Sequence, residues 1–167
     1  MKVKNISEEQ EFISKIEKYK GILYKISKMY MDNEEDRKDL FQEITYQAWK
    51  SYPNFRGDSQ FVTWLYRIAL NTAIIFLKKE KRISFVKNAD VETFTIKNED
   101  YNEDEELKLK QMYEAIHQLN NIDKALIFYY LENFSGKEIA AEMGISEVNV
   151  RVKLNRAKLK LKELLNK

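Results

Sequence analysis

Residues 138–154 carry the densest chemical signal in the chain. In Glu138-Ile139-Ala140-Ala141-Glu142-Met143-Gly144-Ile145-Ser146, Ala140 supplies the small side chain that two nearly touching helices need, and Gly144 supplies the freedom of a tight turn. Ile139, Met143, Ile145, Val150 and Leu154 offer a mutual core. Ser146 can cap the second helix, which leaves backbone amides and the positive end of the helix dipole available to phosphate. Asn149, Arg151, Lys153, Asn155 and Arg156 then supply an outer face of hydrogen-bond donors. The chemistry this pattern supports is helix-turn-helix recognition of duplex DNA, and the plainer alternative is a helical hairpin with a basic surface.

A second constellation lies in the first half, where Phe55-Arg56-Gly57-Asp58-Ser59-Gln60-Phe61 precedes Trp64, Asn71 and the basic run Lys78, Lys79, Lys81 and Arg82. It combines the only dense turn signal of the first half with a basic helix end, which suits a polyanion. Each residue also has a structural use. Phe61 and Trp64 suit a small core, Asp58 or Ser59 can cap the following helix, and Asn71 can simply face solvent. Catalytic readings fare worse. The chain has no cysteine and one histidine, His117, so thiol chemistry and cysteine zinc sites are excluded. The single Glu114-Ala115-Ile116-His117 pattern is half of what a carboxylate-bridged metal bundle requires. No enzyme activity, metal or cofactor is expected.

The elements that must position these residues are helices. Four glycines, one proline and no clustered phosphate-loop glycines among 167 residues leave few breaks, and the length suits one ordinary domain or two small ones. Phe12, Ile16, Tyr19, Leu23, Ile26 and Tyr30 recur at helical spacing. A second helix is expected after Asp32 or Asn33, with Glu34, Glu35 and Asp36 near its positive end, Leu40, Ile44 and Ala48 inward, and an end before Pro53. A third would bury Val62, Leu65, Ile68, Ala69, Thr72 and Leu77. Beyond it, Leu109, Met112, Ile116 and Leu119 form one stripe and residues 125–131 another core segment, with Gly136 as a break before the helix-turn-helix. The run 125–131 is among the longest apolar stretches and falls short of a membrane span, and the N-terminus lacks a secretory apolar stretch, so a cytoplasmic protein without direct membrane insertion is expected.

Charge is segregated along the chain. Residues 78–87 carry a net of four positive charges and residues 151–167 a net of six, while residues 90–106 carry a net of seven negative charges. Two basic helix ends separated by an acidic stretch without apolar periodicity predict a polyanion partner and a solvated tether. The expected fold is all-α: a three-helix bundle over residues 1–87, a flexible acidic linker over 88–107, and a helix-turn-helix domain over 108–167.

Both halves resemble the bacterial sigma-70 family of RNA polymerase sigma factors, in its compact extracytoplasmic-function group. The likeness rests on the phenylalanine-containing loop from Phe55, on Trp64-Leu65 with Ile68-Ala69 and Asn71, on Asp39-Leu40-Phe41-Gln42-Glu43 through Trp49, and on Gly144-Ile145-Ser146-Glu147 with Val150-Arg151 and Arg156-Ala157-Lys158. The resemblance implies binding to core RNA polymerase and promoter-specific initiation, often restrained by an anti-sigma factor. It places Asp39, Leu40, Phe41, Gln42, Glu43, Gln47 and Trp49 at the polymerase. It places Phe55, Arg56, Gly57, Asp58, Ser59, Asn71, Lys78, Lys79, Lys81 and Arg82 at the minus ten element, and Ser146, Asn149, Arg151, Lys153, Asn155 and Arg156 at the minus thirty-five element. The chain departs from the pattern at Ile75, where an Asp is common, and at Asn120, where a Pro is common. A dimeric helix-turn-helix regulator is the alternative, although it leaves the aromatic loop and first basic helix end without a use.

Overall fold

In the computed structural model, residues 2–83 and 102–167 are described, with side chains over 6–79 and 102–167. The helices are α1 (Lys2–Tyr30), α2 (Glu34–Ser51), α3 (Phe61–Ile83), α4 (Glu103–His117), α5 (Asn121–Leu131), α6 (Gly136–Met143) and α7 (Glu147–Leu165), with a 3-10 turn over Tyr52–Asn54. No strand occurs among the described residues. They form two compact units, one built from α1 to α3 and one from α4 to α7, with Met29–Asn33 counted in the second. The all-α, two-domain expectation holds.

In the first unit the sequence periodicity becomes a packed core. Phe12, Ile16, Leu23 and Ile26 are buried on α1, and Leu40, Ile44 and Ala48, four residues apart on α2, are all 0 % exposed. On α3 the buried positions are Leu65, Tyr66, Ala69, Leu70 and Ala73. The alanines of α2 and α3 let these two helices approach closely. The expected α3 stripe is therefore rotated: Val62, Ile68, Thr72 and Leu77 are half-buried. Pro53 sits in the first positions of the 3-10 turn, where its missing N–H leaves no helical bond unmade.

Neither Asp58 nor Ser59 caps α3. The Gln60 carbonyl accepts the Trp64 N–H at 3.1 Å and so holds the cap position. Gly57 turns the chain with φ of +77°, and the two residues that follow it are used in the turn before helical geometry begins. The stretch Phe61–Lys79 is long and apolar enough by length and composition to cross a membrane, unlike the shorter run 125–131. Here it serves as a bundle helix, with Leu65, Ala69 and Ala73 fully buried and Arg67, Asn71 and Lys78 exposed.

In the second unit α4 begins at Glu103, so residues 103–107 belong to a helix and not to the linker. Glu103, Asp104, Glu105 and Glu106 occupy its first turn, where the positive dipole end stabilises the acids that looked like tether. Asn102 stands at the cap position of α4, and residues 88–101 of the expected linker lie outside the described residues. Ala115, Ile116 and Leu119 are buried, but Leu109 is 45 % exposed, because the first turns of α4 extend past the core. On α5, residues 124–129 are all buried, while Tyr130 and Leu131 emerge at the surface. Asn120 caps this helix: its side chain accepts the Asp123 N–H at 2.9 Å and donates to the Asp123 carboxylate at 2.8 Å. The break before α6 falls at Asn133, whose φ is +63°, and not at Gly136, which is the first residue of α6.

Candidate nucleic-acid interface

The helix-turn-helix is assembled by local hydrogen bonds that the sequence specifies. Ser135 and Glu138 form a reciprocal capping box on α6: the Glu138 N–H donates to Ser135 Oγ at 3.2 Å and the Ser135 N–H donates to Glu138 Oε2 at 2.7 Å. Hydrogen bonding to the carboxyl, from the Ser135 backbone N–H first and the Ser135 side chain second, holds Glu138 below the usual carboxylate range. Gly144 ends α6 in the left-handed conformation, φ +67° and ψ +33°, and the Ile145 N–H closes on the Ala140 carbonyl at 3.2 Å. Ser146 Oγ then accepts the Asn149 N–H at 3.1 Å and caps α7.

Ile139, Val150, Ala157 and Leu161 bury the inner face of this motif. Ser146, Asn149, Arg151, Lys153, Asn155 and Arg156 are all exposed, as the sequence predicts. They are not equivalent. With 3.6 residues per turn, Asn155 and Arg156 point most nearly away from Val150 and the core, on either side of the outward direction; Asn149 and Arg151 stand on opposite flanks, and Lys153 lies nearest the core. Sequence reasoning missed two apolar residues at the centre of the exposed face, Val148 and Val152. Lys158 is half-buried, with its ammonium 3.6 Å from the centre of the Tyr130 ring.

In the first unit, the loop after the 3-10 turn rests on an aromatic floor. Phe55 lies 5.1 Å from Trp64, Phe61 lies 5.3 Å from Trp64, and Tyr52 contacts all three rings at 6.2 to 6.3 Å. All four rings are half-buried, so Phe61 and Trp64 are partly core and partly surface. Arg56, Gly57 and Asp58 are exposed above them and Ser59 is half-buried. On α3, Asn71 and Lys78 fall within about 20° of one another around the helix, Arg67 extends the same exposed stripe, and half-buried Trp64 borders it. Arg67 was not among the expected residues; its i, i+4 spacing to Asn71 is the signal that could have found it. Lys79 is exposed beside this stripe. The side chains of Lys81 and Arg82 lie outside the described residues.

The expected polymerase-binding residues divide by environment. Asp39, Gln42 and Trp49 are exposed, Phe41, Glu43 and Gln47 are half-buried, and Leu40 is wholly in the core, where it fixes α2 and offers no surface to a partner. The Gln47 amide donates to the Glu43 carboxylate at 2.8 Å. Phe12, Ile13, Phe41, Gln42, Tyr46 and Trp49 line a groove of about 400 Å³ between α1 and α2. Ile13 and Tyr46 were missed because their contribution depends on α1 lying beside α2. Among the described residues no three His, Asp or Glu side chains gather as a metal site.

Comparison with known proteins accounts for both units. Residues 16–83 match the model of sigma-70 region 2, and residues 109–161 match that of sigma-70 region 4. The chain is 29 % identical over 140 residues to RNA polymerase sigma factor SigV of Bacillus subtilis, covering 83 % of this chain and 81 % of that protein. It is 33 % identical over 135 residues to the ECF RNA polymerase sigma-E factor of Haemophilus influenzae, covering 74 % and 71 %. Its fold is similar to that of the sigma factor RpoE of Bartonella quintana, solved in complex with the anti-sigma factor NepR, with a TM-score of 0.75, 21 % identity, and 94 % and 98 % coverage. A second fold relative is CnrH, solved with the cytosolic domain of CnrY, at a TM-score of 0.64, 21 % identity, and 95 % and 89 % coverage. The two helical units, the capped helix-turn-helix and these matches in order along the chain lead to one assignment: the protein is a member of the sigma-70 family of RNA polymerase sigma factors, in its ECF group.

Proposed function

We propose that this sigma factor reads a duplex minus thirty-five element with α7 and opens the minus ten element with the loop at residues 55–59 and the exposed stripe of α3. The observation that carries the reading is the α7 N-terminus, where Ser146 caps a helix whose first turns expose Asn149, Arg151, Asn155 and Arg156. Asn155 and Arg156, with Arg151 on the adjoining flank, face outward and suit base edges, whereas Lys153 lies nearer the core and suits the phosphates bordering a groove. In the first unit, Arg56, Gly57, Asp58 and Ser59 surround a captured base, Asn71 reads it, and Lys78, Lys79, Lys81 and Arg82 hold the phosphates beside it.

The α1–α2 groove with Asp39, Gln42, Glu43, Gln47 and Trp49 serves as the docking face for core polymerase. Its exposed aromatic residue beside a polar rim is what an interface anchor looks like. An anti-sigma factor is a further partner, by analogy with the two fold relatives solved in such complexes. Work on promoters and core polymerase puts the protein in the cytoplasm.

Run-off transcription with purified core polymerase, with and without the chain, on a set of genomic promoters is the direct test. Promoter-specific product is expected only when the chain is present. Asn155→Ala, Arg156→Ala and Arg151→Ala should then change preference among upstream elements, while Lys153→Ala should weaken all of them alike. No specific product from a competent core enzyme would refute the reading.

A further inference from the structure

The exposed face of α7 is apolar at its centre. Val148 is 59 % and Val152 is 40 % exposed, one turn apart and both directed away from buried Val150. Nothing in helix stability favours two β-branched side chains in water, since Ala, Lys or Glu is a better helix former at such a position. Their surroundings are those of a polyanion site: exposed Asn149, Asn155 and Arg156 lie around them, and residues 151–167 carry a net of six positive charges.

A protein partner seeking apolar contact would gain little from that surround of amide donors and positive charge, while a nucleic acid needs it. Within the major groove the one apolar group that a base pair displays is the C5 methyl of thymine. Four residues of helix advance about 6 Å, close to two base-pair steps of about 3.4 Å each. We propose that Val148 and Val152 are specificity-determining residues that contact thymine methyl groups about two base-pair steps apart in the upstream element. The proposal rests on the assignment of α7 to duplex recognition. Leu159, although 62 % exposed on the same side, lies about 16 Å along the axis from Val148, about three turns beyond the N-terminal part of the helix that meets base edges.

The test removes the same contact from each side. Holoenzyme reconstituted from core polymerase and the full chain is bound to promoter duplexes in which each upstream thymine in turn is replaced by uracil, which deletes the methyl and keeps the pairing edge. Two positions should each lose about four-fold in affinity, the equivalent of about 0.8 kcal/mol for one buried methyl. In Val148→Ala one of these losses should vanish and the other persist, with the positions exchanged in Val152→Ala and both losses retained in Leu159→Ala. Uracil without effect, or an effect equal in the wild type and both valine variants, would overturn the proposal while leaving duplex recognition by α7 intact. Loss of core polymerase binding in the valine variants, with methyl dependence retained, would also overturn it and would assign the pair to a protein contact. A holoenzyme indifferent to upstream sequence would instead bring down the α7 assignment itself.

Discussion

The Lys15 ammonium donates to the Tyr52 hydroxyl at 3.1 Å and so ties α1 to the aromatic floor beneath the loop at residues 55–59. The same cation lies 5.4 Å from the Tyr52 ring centre, 5.8 Å from that of Phe55 and 5.3 Å from that of Phe61, and pairs with Glu11 at 2.8 Å. Lys15→Met keeps the aliphatic stem and removes the charge. It should cost about 1 kcal/mol of stability and slow promoter opening on a duplex template, with less effect on a template already open. Lys15→Arg should recover much of the loss. Thermal melts and permanganate reactivity of unpaired thymines measure the two effects, and a Met variant that opens duplex promoters at the wild-type rate would separate this lysine from the loop.

The same group fixes a pH window. Hydrogen bonds from Lys15 first and Tyr52 second hold the Glu11 carboxyl below its usual range, so its contribution is complete above that range and lost as pH falls through the depressed value. Lys15, bonded first to Glu11, titrates above the usual lysine range, so its contribution is complete at and below that range and lost as pH rises through the raised value. Both side chains are solvent-accessible, which keeps the effect small and salt-sensitive. The melting temperatures of the wild type and Glu11→Gln should therefore differ at neutral pH and converge in acid. A constant difference down to the acid limit would show that the pair contributes nothing through ionisation.

Ser146 separates capping from DNA contact. Ser146→Ala should destabilise the second unit by about 1 kcal/mol, whereas Ser146→Asp should keep the cap and preserve the melting temperature. On DNA the order reverses, because a carboxylate at the end of α7 repels phosphate: the Asp variant should bind upstream duplex more weakly than its stability predicts, most of all at low salt. Equal binding by the Asp variant and the wild type would place the helix end away from the backbone.

Base capture should depend on the loop and on Asn71 together. Asn71→Ala, or an unrelated sequence grafted over residues 54–59, should spare polymerase binding and abolish opening of a duplex promoter. A template supplied open around the minus ten element should partly rescue the graft. Normal permanganate reactivity in both variants would remove the role given to this loop.

Periodicity made most of the fold legible, since Leu40, Ile44 and Ala48 announce their burial by spacing alone. Capping chemistry was equally readable at Ser146, where a serine precedes an amphipathic run, and unreadable at Asp58 and Ser59, because Gly57 sets where the turn ends. The acids of the α4 first turn misled for a related reason: four carboxylates with few apolar neighbours look the same in a tether and at a helix start, and only the buried Ala115 and Ile116 a few turns on decide between them. The candidate surfaces followed the same division. Polar and basic residues of α7 could be picked by type, but Val148 and Val152 could not, because an exposed valine becomes informative only once Val150 is known to hold the core.

The two tryptophans of the chain, Trp49 beside Phe12 and Trp64 among Phe55 and Phe61, both belong to the α1–α3 unit. Indole emission is therefore a native optical probe placed within that unit, whereas circular dichroism at helical wavelengths records both. Melting the intact chain while recording the two channels together would resolve which core gives way first without cutting or labelling it. Trp49, at the mouth of the α1–α2 groove, would also change its emission when a partner covers it, so a fluorescence titration can count docking events directly.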